Sequence, residues 1–231
     1  MKSRFRKSTL SVALMVTGGA VAAPAMAAHA SPAVDTPAVT VQLSHESQPP
    51  PEPPKPPQPQ PPPDEDNRVL EHDYQKQPNG YYCAPAATRI ALSTQGKVLS
   101  QKEVAQKLGT TEAGTNSAND TTRVLNEMTG GGYETTEIGG VNATPEQVDK
   151  LSADVVEAVD AKRGVVANTM GTGVDTDGEQ HVFPGGHYVT IIGYDDDGDR
   201  LKVADPYDPE KHYWMTDQKM ANWIAARGYS G

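Results

Sequence analysis

The stretch Gln77-Pro-Asn-Gly-Tyr-Tyr-Cys83-Ala-Pro-Ala86 contains Cys83, the only cysteine of the 231-residue chain. Small and apolar residues recur over residues 83–93, and proline is tolerated in a first helical turn, so the pattern predicts a helix that begins at Cys83. A helix N-terminus presents unpaired N–H groups and a positive dipole end, and both stabilise a thiolate. Cys83 is therefore either a nucleophile or a buried, inert thiol.

Helical patterns dominate the chain after this stretch, and strand patterns follow them. Ser100 and Glu103 form a capping box, and Thr144 with Pro145 predicts a second helix start. The predicted helices cover 83–93, 101–108, 119–128, a segment from 145, 152–161 and 216–226. The predicted strands cover 164–170, 187–194, 200–204 and 212–215, with a turn at 195–199. Helices first and an antiparallel sheet second indicate an α+β domain.

A nucleophilic thiolate needs a proton partner, and His187 is the best placed of the six histidines. It begins a strongly strand-forming segment directly after Pro184-Gly185-Gly186. The turn at 195–199 makes the two flanking strands antiparallel neighbours, so we expect His187 and Asp205 at the same edge of the sheet. Considered on its own, His187 could equally be an ordinary residue at the end of a strand without a catalytic role. Asp205-Pro206 alone could equally be a simple turn.

Acyl transfer also needs a group that stabilises an oxyanion. Gln77 stands six residues before Cys83, and its side-chain amide could act together with the Cys83 backbone N–H.

These motifs together resemble papain-like cysteine peptidases, and more closely the bacterial double-glycine (bacteriocin-processing) peptidase-like family. The similarity covers about residues 74–215 and includes Gly186-His187-Tyr188 and the later Asp205-Pro206. It implies a papain-like α+β fold, with N-terminal helices packed on a C-terminal antiparallel sheet. The resemblance also implies the roles: Cys83 as nucleophile, His187 as general base, Asp205 as the acid that orients it, and Gln77 as the oxyanion residue.

The sequence departs from that family at Ala84, where the family has glycine after the cysteine. If the substrate backbone must approach this position closely, the methyl group of Ala84 narrows the cleft or slows the reaction. If Ala84 only lies in the first helical turn, which we favour, alanine is harmless and a better helix former than glycine. The main functional prediction is a thiol hydrolase that cleaves peptide or amide bonds in a peptide or protein substrate. Two alternatives stay open: an amidase or transpeptidase that acts on cell-wall peptide with the same residues, and a non-catalytic peptide-binding module.

The N-terminal quarter of the chain predicts export. Four basic residues precede an apolar run over 10–23, and small residues follow, which is typical of a secretory signal peptide at 1–30 rather than a membrane anchor. Eleven of the 20 prolines lie within 49–63, so 31–63 is predicted to be a disordered linker. The folded domain is predicted at 64–231, and a propeptide role for 64–77 stays open. The expected location is extracellular, with cell-wall association as an option.

The charge and the motifs exclude several classes of partner. A net charge of −10 argues against duplex DNA and against an anionic membrane surface. No stable membrane insertion is expected after signal cleavage, because no other stretch is long and apolar enough. The chain has neither a catalytic zinc spacing nor a phosphate-binding loop, so no cofactor is expected. The acidic segments 175–179 and 195–199 are interpreted as turns, since neither completes a calcium loop.

Overall fold

The computed structural model describes residues 67–208 and 212–231. The predicted signal peptide, the predicted linker and residues 64–66 of the predicted domain lie outside the described residues, and those boundaries stay predictions. Within the described residues, no helix combines the length and hydrophobicity that a membrane crossing would require.

The described part of the chain contains five α-helices, one short 3₁₀ helix (Asp196–Gly198) and seven strands. The helices are α1 (Cys83–Ser93), α2 (Gln101–Leu108), α3 (Ala118–Thr129), α4 (Pro145–Asp160) and α5 (Asp217–Ile224). The strands are β1 (Arg68–Val69), β2 (Thr135–Thr136), β3 (Val165–Val174), β4 (Gln180–Asp195), β5 (Arg200–Ala204), β6 (His212–Thr216) and β7 (Gly228–Ser230).

The strands form one antiparallel sheet in the order β2-β7-β3-β4-β5-β6, and β1 pairs with the end of β4. One core cluster joins α4 and α5 to one set of sheet side chains, including Val165 and Val189. A second joins α1, α2 and α3 to another set, including Val166 and Tyr188. The predicted α+β class is confirmed, and the helices cover both faces of the sheet.

Local chemistry fixes the helix ends. The predicted capping box of α2 is present, since the Ser100 hydroxyl accepts from the Glu103 N–H at 3.2 Å and the Glu103 carboxylate accepts from the Ser100 N–H. Gly109 ends α2 at φ +70°, a conformation that favours glycine. Thr144 and Gln147 form a second capping box at the start of α4. Helix α1 begins at Cys83, as predicted.

The structure corrects the sequence interpretation in α4. Two separate helices were expected, from 145 and over 152–161, but α4 is continuous. The Ser152 hydroxyl points out of the helix and donates to the Gly198 carbonyl at 3.1 Å, so this residue binds the neighbouring turn instead of beginning a new helix.

A second correction concerns β4, which does not begin at His187. Thr169 of β3 pairs with His187, and Gly171 pairs with Phe183, so Pro184-Gly185-Gly186 forms a bulge opposite one residue of β3. Proline is tolerated at bulges, and Gly186 has φ +99°, which explains why these residues interrupt the strand pattern without ending the strand.

Residues 68–77, which precede the loop to Cys83, are held against the rest of the domain by hydrogen bonds, and the first two of them form β1. The Leu70 N–H donates to the Ile192 carbonyl at 2.8 Å, and the Leu70 side chain is buried in the core. Farther along, Asp73 accepts from the buried guanidinium of Arg89 at 2.6 Å. The Gln77 N–H donates to the Pro206 carbonyl at 2.9 Å, which fixes the loop that leads into α1.

Candidate active site

Cys83 occupies the first turn of α1 and is partly exposed. Burial acts to raise the pKa of its thiol, but hydrogen bonding and the charge of His187 act to lower it, and so do the backbone N–H groups of Tyr188 and Ala84. The balance places the Cys83 pKa below its ordinary value. The surroundings of Cys83 therefore shift it towards the thiolate, in the direction that its position at a helix N-terminus predicts.

His187 and Asp205 form a buried pair. His187 Nε2 lies 2.6 Å from Asp205 Oδ1, and the two side chains are each 3% exposed. The strand register explains the contact, because Thr190 of β4 pairs with Ala204 of β5, so the ends of both strands lie together. Since Nε2 faces Asp205, Nδ1 is the ring nitrogen left for the hydrogen bond with Cys83.

The charges of this group support an imidazolium–thiolate pair. Burial acts to lower the pKa of His187, but the hydrogen bonds and negative charges of Asp205 and Cys83 outweigh it and raise the pKa to about 9. Burial acts to raise the pKa of Asp205, and its bonds to His187, Tyr207 and Tyr213 more than offset this, so the pKa is lowered. At neutral pH, His187 therefore carries a proton and Asp205 a negative charge, and the positive charge of His187 favours the thiolate form of Cys83.

Three aromatic residues that sequence reasoning missed complete the surroundings of the pair. The Phe183 ring stacks on the His187 ring with centroids 3.9 Å apart. The Tyr213 hydroxyl donates to Asp205 Oδ2 at 3.0 Å, and the Tyr207 N–H donates to Oδ1 at 2.9 Å. Both carboxylate oxygens of Asp205 therefore have partners, and Phe183 separates the His187 ring from solvent on one side.

A second histidine–aspartate pair lies behind Tyr213. His181 lies within β4, where its Nε2 is 3.1 Å from Asp175 Oδ2. The His181 ring stacks on Tyr213 at 3.8 Å. His181 and Asp175 thus hold the ring whose hydroxyl binds the Asp205 carboxylate.

The Gln77 side chain is buried against the loop that leads to Cys83. It is 8% exposed, and Nε2 donates to the Asn79 carbonyl at 2.7 Å. Its Oε1 is buried without a hydrogen-bond partner. A primary amide carries two N–H donors, so one N–H bond to Asn79 leaves a second donor on Gln77 Nε2.

An open cleft of about 400 Å³ lies beside Cys83. One wall comes from the loop before α1, a second from the loop between α2 and α3, and a third from the sheet with its glycine bulge. The lining residues are Gly80, Tyr81, Cys83, Glu112, Ala113, Gly114, Thr115, Asn116, Asn168, Gly185, Gly186, Tyr188 and Arg227.

Ala84 does not belong to this lining. Its side chain is fully buried and packs in the cluster beneath α1. Alanine at this position contributes to the core, and its methyl group leaves the cleft open.

The other polar sequence features have structural partners. Arg200 pairs with Asp195 and Asp196 across the acidic turn, where Asp196 and Asp197 have positive φ. His212 Nε2 lies 2.8 Å from His72 Nε2 and is half-buried. Among the described residues, no group of three or more histidine, cysteine or acidic side chains could hold a metal ion.

Comparison with known proteins places the chain in a family. The model described as the Peptidase_C39 like family matches residues 69–230. The fold is similar to a C39-like peptidase from Bacillus anthracis (13% identity, TM-score 0.49, covering 70% of this chain and 95% of that chain). It is also similar to the peptidase domain of Streptococcus ComA, a bifunctional ABC transporter involved in a quorum-sensing pathway (15%, 0.44, 69% and 96%).

A third similar structure is a double glycine motif protease from an AMS/PCAT transporter in complex with the leader peptide (15% identity, TM-score 0.42, covering 70% of this chain and 91% of that chain). No curated protein matches the chain. Because the family model spans well over half of the 231 residues, the protein belongs to the Peptidase_C39 like family, and this membership indicates a peptidase.

Proposed function

We propose that the protein is a cysteine peptidase with Cys83 as nucleophile, His187 as general acid and base, and Asp205 as the group that orients and charges His187. One observation carries the proposal: the buried His187–Asp205 pair, joined at 2.6 Å, acts on the Cys83 thiol and lowers its pKa, and Cys83 opens onto a cleft. A structural thiol would need neither a buried carboxylate behind the histidine nor an adjoining cleft.

The reaction begins with the thiolate of Cys83, which attacks the substrate carbonyl carbon. The C=O electron pair moves to oxygen, and this oxyanion accepts hydrogen bonds from the Cys83 N–H and from Gln77 Nε2. As the C–N bond breaks, the His187 imidazolium gives its proton to the leaving amine, and a thioester with Cys83 remains. His187 then takes a proton from water, whose oxygen attacks the thioester. The new acid leaves and Cys83 is restored.

A peptide is the proposed substrate. The cleft is open, polar and lined by glycines at the bulge, which suits an extended backbone that must approach Cys83 closely. The predicted export signal adds that the substrate is met outside the cell, where cell-wall peptide is one source.

The test uses a library of internally quenched peptides with the full chain and its Cys83→Ala and His187→Ala variants. We expect turnover in the wild type and at least a thousandfold loss in both variants, because the nucleophile and its proton carrier are each essential. His72→Ala is the matched control, since His72 lies away from the cleft and should keep the wild-type rate. Product masses report the acceptor: addition of water identifies hydrolysis, and addition of a supplied amine identifies transpeptidation.

Alkylation by iodoacetamide, followed by intact mass, tests the site without any substrate. Cys83 is the only thiol, so each added mass reports this residue. We expect fast labelling at pH 6 that slows in His187→Ala. Labelling that follows an ordinary thiol near pKa ~8.5 and ignores His187 would overturn the proposal in favour of a binding module.

A further inference from the structure

An arginine shares the cleft with Cys83. Arg227 follows α5 and is exposed, and it lines both the Cys83 cleft and an adjoining cavity of about 220 Å³. The mechanism proposed above gives this residue no role. A permanent positive charge beside a nucleophile is a binding feature, because guanidinium groups recognise carboxylates through directed, charge-assisted hydrogen bonds.

The backbone around Arg227 is fixed. The Arg227 N–H donates to the Ile224 carbonyl at 2.8 Å. Gly228 follows at φ +100°, and a Cβ there would lie 2.4 Å from the Thr136 carbonyl oxygen, so only glycine fits. Arg227 therefore projects from a constrained turn between α5 and β7, rather than from a freely moving loop.

The side chain carries no ion pair. Among the described residues, no carboxylate lies within 4.0 Å of the Arg227 guanidinium, which donates only to Met170 Sδ at 3.4 Å. Glu112 lines the Cys83 cleft and Glu137 lines the adjoining cavity, yet neither pairs with it. The strong donors of Arg227 are left for a ligand.

Arg227 lies close to the reacting atoms. A Cβ built on Gly186 would be 3.8 Å from Arg227 Nη2, and Gly186 directly precedes His187. Burial and the negative charge of Cys83 raise the pKa of Tyr188, and the positive charge of Arg227 acts to lower it. The charges of Cys83 and Arg227 therefore both act on the Tyr188 hydroxyl. A substrate bound at Cys83 thus shares its cleft with the Arg227 guanidinium.

We infer that Arg227 is a specificity-determining residue that selects substrates with a carboxylate within two residues of the scissile bond. This inference rests on the proposed peptidase function and names the class of peptide that the site takes. The carboxylate has two sources with the same chemistry: an aspartate or glutamate side chain, or the free C-terminus of a short peptide.

The first experiment compares matched peptides. One arm places Glu or Gln at each position within two residues of the cleavage site in end-capped peptides, and the other compares free-acid and amide C-termini. We expect kcat/KM about tenfold higher for the carboxylate in one arm, and the arm that responds identifies the source. Arg227→Gln should remove the preference, Arg227→Lys should retain part of it, and Arg227→Glu should reverse it towards lysine.

The control is Arg68→Gln, which makes the same change of net charge on β1, where Arg68 pairs with Asp160. It should keep the wild-type preference. Cleavage by the wild type without any preference, or a preference that survives in Arg227→Gln, would overturn the inference while leaving the peptidase proposal intact.

The second experiment needs no turnover. Iodoacetate carries a carboxylate and iodoacetamide does not, so the ratio of their alkylation rates at Cys83 reports positive charge near the thiolate. One charge across a solvated cleft changes this ratio by about two- to tenfold. We expect the ratio to fall by that factor in Arg227→Gln and to persist in Arg227→Lys. An unchanged ratio would refute the inference, even if no peptide in the library were cleaved.

Discussion

Replacing Asp205 with asparagine should change the pH dependence of stability. His187 has a pKa of about 9 in the folded protein, against an ordinary value of about 6.5. Each pKa unit corresponds to about 1.4 kcal/mol, so protonated His187 stabilises the fold by about 3 kcal/mol. That contribution is complete below about pH 6.5 and is lost as the pH rises through about 9.

Asp205→Asn removes the carboxylate but keeps the size of the side chain. Burial then lowers the His187 pKa, opposed only by Cys83, so the variant should lose about 2 kcal/mol of the pH-dependent contribution. The altered hydrogen bonds to Tyr207 and Tyr213 cost the same at every pH. They therefore shift the whole stability curve without changing its slope.

The measurement is urea denaturation at pH 6 and pH 9.5. Between these values the wild type should lose about 2 kcal/mol more unfolding free energy than Asp205→Asn does. Asp149→Asn, on the exposed face of α4, controls for the change in net charge and should behave as the wild type. If the unfolding free energy fell equally in the wild type and in Asp205→Asn, the reasoning would be refuted, because Asp205 would then not raise the pKa of His187.

Two further substitutions test the surroundings of the site. Tyr213→Phe removes one hydrogen bond to Asp205, so stability should fall by about 1 kcal/mol. Because the loss of this donor makes Asp205 more basic and favours protonated His187, the midpoint of Cys83 alkylation should move to lower pH; an unchanged midpoint would show that the Tyr213 hydroxyl does not tune the pair. Ala84→Gly should cost about 1 kcal/mol in thermal unfolding and leave the rate of Cys83 alkylation unchanged, since the methyl group is buried under α1; faster alkylation would place Ala84 in the cleft after all.

The parts of the fold that local chemistry decides could be predicted. Helix α1 begins at Cys83, the capping box forms at Ser100, and Thr144 caps the start of α4, because each depends on residues within one turn. The contact between His187 and Asp205 followed from hairpin geometry, since one short turn sets the register of two strands.

The parts that depend on distant partners could not be predicted. Strands β1, β2 and β7 contain two or three residues each, too few to show a period. β1 and β7 form because the longer strands β4 and β3 pair with them, and β2 in turn pairs with β7. The glycine bulge in β4 looks like a loop in the sequence because proline and glycine end most strands. Phe183, Tyr213 and Arg227 are distant from Cys83 in the sequence, and only the folding of the sheet brings them to the site.

The segment 67–77 bears on how the protein could be regulated. Its main chain is hydrogen-bonded to β4 and to the Pro206 carbonyl, and none of its residues lines the Cys83 cleft. The Tyr74 hydroxyl also donates to the Asp205 carbonyl at 2.9 Å. We therefore expect cleavage within 67–77 to remove β1 from the sheet and to loosen Asp205, so proteolysis there should slow the alkylation of Cys83 rather than speed it.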